Sequence, residues 1–146
     1  MNKILRNIFG LVLISFLFVG SVVGQEIGKI FTNEEADNLF GEVLIEKEID
    51  LTELNNLLNN TNNVIMFKLD AEGFTVLGDD RKLLLSTANY VEKNEIFHMF
   101  SKSKVQELVK NGTGKLIKLQ KRNEVFTINS GNFTLELSLP CPPGCH

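Results

Sequence analysis

The residues best equipped for chemistry stand in the run Cys141-Pro-Pro-Gly-Cys145-His146, which holds both cysteines of the chain. Outside a reducing cytosol a lone close pair oxidises, so the leading reading is a structural disulfide between Cys141 and Cys145 that restrains the tail. Closing so small a loop removes little chain entropy, and the bridge is expected to contribute about 1–3 kcal/mol or less. Three other chemistries compete with it. A redox-active pair needs a lowered thiol pKa, commonly from a helix N-terminus, and two prolines in a tail supply no such helix. Haem attachment through Cys-x-x-Cys-His departs from this spacing by one residue. A soft-metal site could draw on Cys141, Cys145 and His146 but lacks a fourth ligand.

His98, in Ile96-Phe-His-Met-Phe100, is the other histidine. Flanked by apolar residues on an expected strand, it reads as a half-buried core residue with one satisfied hydrogen bond. A catalytic base needs a nucleophile or water held against it, and no Ser or Cys motif supplies one. Asp70, Glu72, Asp79 and Asp80 could gather round a cation, but tight turns explain them more simply. The calcium-loop spacing, Gly-rich phosphate loops, HExxH and GxSxG are missing. No catalytic, cofactor-binding or metal-ligating residue is therefore assigned, and no cofactor is expected. The sequons at Asn59, Asn111 and Asn132 would matter in a glycosylating eukaryote, whereas the wealth of Asn, Lys, Ile and Phe reads as AT-rich bacterial usage.

The elements that would position these residues follow from periodicity. Val43 to Ile49 is β-rich, and Asp50-Leu-Thr-Glu53 reads as a capping box opening a helix with Leu51, Leu54, Leu57 and Leu58 on one face. Strands are expected at 64–69, 74–77 and 82–86, separated by Asp- and Gly-bearing turns. A second set follows: a strand at 96–100, a capping box at Ser103-Lys-Val-Gln106, and an apolar stripe of Val105, Leu108 and Val109 stopped by Gly112 and Gly114. Strands at 115–120, 125–128 and 132–139 complete it. In the last, Phe133, Leu135, Leu137 and Leu139 alternate with polar residues, which predicts one buried and one wet face. A short helix opened by Thr32 through Glu35 and stopped by Gly41 precedes both sets.

Phe74-Thr-Val76 and Phe126-Thr-Ile128 lie 52 residues apart, as do Leu83-Leu-Leu-Ser86 and Leu135-Glu-Leu-Ser138. This points to a weak duplication with halves at about 42–86 and 95–139, joined by the aperiodic stretch 87–95 and followed by the tail 140–146. The expected fold is α+β: a single antiparallel-sheet-rich domain made of two strand-helix-three-stranded-meander units, with the helices on one face of the sheet. Secreted inhibitors and periplasmic binding modules share that architecture, as analogy only.

Charge and the N-terminus bound the setting. Lys3 and Arg6, an apolar run from Ile8 to Val19 and small residues up to Gly24 have the order of a signal peptide, with 1–24 removed and 25–146 left as one secreted domain. An uncleaved anchor is the alternative, but the run falls short of the roughly 20 residues that span a bilayer. After Gly24 the chain carries 13 basic and 18 acidic residues, so nucleic acid is an unfavourable partner. From Glu26 to Asp80 there are 13 acidic and 3 basic residues; from Arg81 onward there are 5 acidic and 10 basic. Such polarity can hold two halves of a domain together.

The sequence thus describes a secreted or periplasmic bacterial domain, without membrane span after cleavage, that binds a protein or envelope component through a sheet face or edge and performs no catalysis. Its oligomeric state is left open. One alternative is a thiol-redox or metal-binding protein using the terminal cysteines. Another is an inhibitor of an extracellular hydrolase with Pro-Pro-Gly as the inserted wedge.

Overall fold

The computed structural model describes residues 24–90 and 94–145. The expected signal segment up to Val23, and His146 with it, lie outside these residues. In chain order the elements are β1 (Lys29–Thr32), α1 (Asn33–Phe40), β2 (Ile45–Asp50), α2 (Leu51–Asn59), β3 (Val64–Leu69), β4 (Phe74–Leu77), β5 (Leu83–Ser86), β6 (Phe97–Ser101), α3 (Lys102–Asn111), β7 (Leu116–Lys121), β8 (Phe126–Ser130), β9 (Phe133–Glu136) and β10 (Leu139–Cys141), with a 3-10 turn at Asp79–Arg81.

The strands form two antiparallel sheets of five, giving the α+β fold expected. Sheet A has the order β1-β9-β8-β7-β2 and sheet B the order β10-β6-β3-β4-β5. The strand ahead of each main helix crosses over: β2 pairs with β7, and β6 pairs with β3. Each sheet therefore mixes strands from early and late in the chain, which makes the two sheets interdependent.

One core joins them. Ile49, Ile117, Leu119, Ile128 and Leu135 face inward from sheet A, and Ile65, Phe67, Val76 and Phe100 from sheet B. Between them lie Leu54, Leu57 and Leu58 of α2 and Val105 and Leu108 of α3. Period-2 burial on the strands and 3.6-residue burial on the helices thus meet in a single apolar layer. Phe126 lies at its centre, stacked on Phe67 with ring centroids 5.6 Å apart.

A smaller cluster covers the opposite face of sheet B. Met66, Leu77, Phe97, Met99 and Cys141 are buried there against Ile27, Val64, Tyr90 and Cys145. The tail is thus the lid over an apolar sheet face.

Local chemistry explains most boundaries. Thr32 caps α1 in a full capping box, with Glu35 Oε2 accepting the Thr32 N–H at 2.8 Å. Asp50 caps α2 by accepting the Thr52 N–H at 2.7 Å. Three details differ from expectation. Lys29–Thr32 is a strand, too short to show a period of its own. Helix α3 begins after Ser101, and the Ser103 hydroxyl donates to Glu26 Oε1 at 2.6 Å instead of capping.

The third difference is the run 132–139, which divides between the two sheets. Glu136 is buried, and its carboxylate accepts the N–H of Leu137, which adopts a left-handed φ of 65°. That reversal ends β9 and hands the chain to sheet B. Leu137 and Leu139, expected inside, are consequently 51 % and 45 % exposed.

Candidate functional site

The outer face of sheet A is polar yet largely withdrawn from water. On β7 the inward residues Ile117 and Leu119 leave Lys118 and Gln120 pointing outward, and the neighbouring strand adds Thr127 and Asn129. A solvated sheet face would expose such residues. Here Gln120, Arg122, Thr127, Asn129 and Thr134 are all buried, because α1 and the segment after it fold across that face.

Arg122 is the anchor of this arrangement. Its side chain is 3 % exposed, and Nη1 donates to Asp37 Oδ1 at 2.8 Å and to the Gly41 carbonyl. Nε reaches Thr127 Oγ1 at 3.4 Å and Nη2 reaches Gln120 Oε1 at 3.5 Å. A buried guanidinium persists only when it is paired and hydrogen-bonded, and these contacts engage Nε, Nη1 and Nη2. Gln120 in turn donates from Nε2 to Glu46 Oε2 at 2.8 Å, and Lys118 Nζ lies 3.0 Å from Glu46 Oε1. Burial alone raises the Glu46 carboxyl pKa, but the Gln120 and Lys118 contacts outweigh it and hold the group below its ordinary value.

A second knot ties α1 to the other end of the face. Asn33 Oδ1 accepts from Asn129 Nδ2 at 2.8 Å and from Thr134 Oγ1 at 2.9 Å, while Asn33 Nδ2 donates to the Gly131 carbonyl at 2.9 Å. Gly131 turns the β8–β9 hairpin with a φ of 59°, which suits glycine.

Between the two knots lies a groove of about 610 Å³. Its floor is Lys118, Gln120 and Asn129, and its walls include Asp37, Glu48 and Lys115 with Val43 and Leu116 at the rim. The lining offers amides, carboxylates and ammonium groups but no Ser, Thr, Cys, Tyr or His. Because Lys118, Gln120, Arg122 and Asn129 are held by these contacts, a ligand would meet polar groups already oriented.

The residues singled out from sequence lie elsewhere. His98 is half-buried on β6, its ring stacked 5.3 Å from Phe126, with Nδ1 sharing a 3.2 Å hydrogen bond with Ser138 Oγ. Burial, helped by the nearby Lys121 charge, lowers its pKa. Neither His98 nor Ser138 lines the groove.

The turn carboxylates do not converge. Asp70 Oδ1 accepts the N–H groups of Glu72 and Gly73 at 3.0 and 3.1 Å. Asp79 accepts those of Asn62, Asn63 and Val64 at 2.5, 3.2 and 3.1 Å, tying the α2–β3 loop to the turn after β4. Among the described residues no group of three His, Cys, Asp or Glu side chains is placed to hold a metal.

Cys141 and Cys145 are joined in a disulfide, with Cα atoms 5.0 Å apart. Among the described residues no helix is long and apolar enough to cross a membrane. Comparison with protein-family models, with curated proteins and with solved structures finds no match to this chain.

Proposed function

We propose that this chain is an exported, non-enzymatic binding domain of a bacterial envelope or its surroundings, and that the groove on the outer face of sheet A receives the protein or envelope component it recognises. The observation that carries the reading is the Arg122–Asp37–Gln120–Glu46 network. Arg122 and Gln120 are buried and hydrogen-bonded on a sheet's outer face, at a desolvation cost that an apolar lining would avoid. The part-exposed Glu46 and exposed Asp37 that hold them leave oriented polar groups at the surface, which recognition of a polar ligand uses. Support for an extracytoplasmic setting comes from the disulfide and from the leader-like order of residues 1–24.

A reversal at the rim tests this. Glu48 and Lys115 line the groove, and neither carries the structural load of Arg122. The tagged chain would be used to capture partners from envelope and culture medium at low and high salt, beside the Glu48→Lys and Lys115→Glu variants. The expected outcome is a discrete partner retained by the unaltered chain and lost, by tenfold or more, from both variants. Absence of any partner at every salt concentration, or undiminished capture by both variants, would contradict the proposal.

A further inference from the structure

The tail disulfide has a charged neighbour that the sequence gives no hint of. Arg81, 60 residues away in the chain, donates from Nη1 to the Cys141 carbonyl at 3.0 Å and stands 3.5 Å from Cys141 Sγ. Its guanidinium also lies 5.1 Å from the centre of the Phe97 ring and reaches the Glu95 carbonyl at 3.2 Å from Nη2. To bring it there the backbone places Asp80 and Arg81 both in the left-handed region, at φ 54° and 57°. Two consecutive non-glycine residues in that region are unfavourable unless the surroundings hold them.

The two sulfurs sit in unequal places. Cys141 belongs to β10, is buried completely and is held opposite Phe97 on β6. Cys145 lies beyond the exposed Pro142 and Pro143, is itself part-exposed, and borders a cavity of about 650 Å³ that Arg81, Met66 and Met99 also line. A thiol reagent can therefore approach Cys145 and not Cys141.

From this asymmetry we propose that Cys141–Cys145 is a thiol–disulfide exchange site, in which Cys145 takes the attack and Cys141 departs as a thiolate stabilised by Arg81. The co-reactant is a dithiol, on a small molecule or a protein. One of its thiolates attacks Cys145 Sγ; the S–S bond breaks, a mixed disulfide forms on Cys145, and the electron pair leaves on Cys141. The second thiolate of the dithiol then attacks its own sulfur in that mixed disulfide, releasing Cys145 and closing the dithiol into a disulfide. Two electrons pass to the chain, and the reverse sequence returns them.

A cation within about 4–6 Å favours a thiolate, and a lower leaving-group pKa speeds departure. Arg81 thus supplies the lowering influence that a helix N-terminus supplies elsewhere. Burial of Cys141 opposes it, so the balance is measurable at that thiol. This site is independent of the sheet A groove and stands or falls separately from it.

Two measurements decide it. Oxidised chain is mixed with reduced glutathione, quenched in acid and mapped by mass spectrometry; the adduct is expected on Cys145. In Cys145→Ser, the ultraviolet thiolate absorbance of Cys141, followed against pH, is expected to show a titration point well below the usual value of about 8.5. Adding Arg81→Gln is expected to raise that point by about one pH unit, while Arg81→Lys retains most of the effect. A packing role alone would leave the titration point where it was. Adduct on Cys141, or a point at or above the ordinary value that Arg81→Gln and Arg81→Lys leave unmoved, would overturn the proposal. The adduct map and Arg81→Lys decide it even if Arg81→Gln fails to fold.

Discussion

Asp79 illustrates how a residue that sequence reading would consider for a metal is spent on the fold. Burial raises its carboxyl pKa, but the N–H groups of Asn62 and Val64 and the Thr61 hydroxyl outweigh that and hold it below the ordinary aspartate value. A carboxyl depressed in the folded state contributes stability above its unfolded value, near 3.9, and that contribution is lost as pH falls toward the folded value. Asp79→Ala is therefore expected to reduce unfolding free energy by about 1–2 kcal/mol at pH 7, by removing acceptors from three backbone donors. Urea titration at pH 7 and pH 3 checks this: the deficit should shrink at pH 3, and an equal deficit at both would be inconsistent with a charge-assisted role. His98, by contrast, behaves as its sequence context implied, with an aromatic neighbour and one hydrogen bond. Arg122 falls between the strands expected at 115–120 and 125–128, where the sequence marks it as no more than part of a turn. Its importance depends on Asp37 and Gly41, more than eighty residues earlier, and no local period encodes that contact.

At the scale of elements, legibility followed burial. Strands β3, β4 and β8 and helices α2 and α3 were recognisable because one-sided or complete burial writes a clear apolar pattern. The β9–β10 break was not, because Leu137 and Leu139 continue an alternating pattern that the left-handed turn at Leu137 interrupts. The burial of the polar outward residues on β7 and β8 has no local signal, since the cover comes from α1. Packing of α3 on β8 depends on a close approach at Gly112, where an added Cβ would lie 1.8 Å from Ser130 Oγ and 2.9 Å from its carbonyl. Gly112→Ala forces the helix end away from the strand, and a loss of about 1–3 kcal/mol is expected, as for other overpacked sites. Thermal or urea unfolding of that variant measures it; unchanged stability would mean that α3 can shift freely.

Across the whole molecule, the uneven charge of the chain is used in part to join what the crossing strands bring together. Lys118 and Arg122 from the basic part reach Glu46 and Asp37 from the acidic part, and Lys104 reaches Glu26 at 3.3 Å. The Lys104–Glu26 pair is part-exposed and contributes little, whereas Lys118–Glu46 and Arg122–Asp37 orient side chains beside the groove. The acidic Glu42 and Glu48 remain exposed beside it. A ligand approaching sheet A would meet this mixed-charge surface as a unit, and added salt would screen its charged contacts there.

The groove's role is tested most directly by placing a photo-crosslinking phenylalanine derivative at position 48 or 115 in the groove wall, and at position 110 on α3 as a control, in cells exporting the chain. A discrete crosslinked product from 48 and 115, absent from 110, is the predicted result. Crosslinks confined to 110, or none from the groove positions, would contradict the assignment of sheet A's outer face as the binding surface.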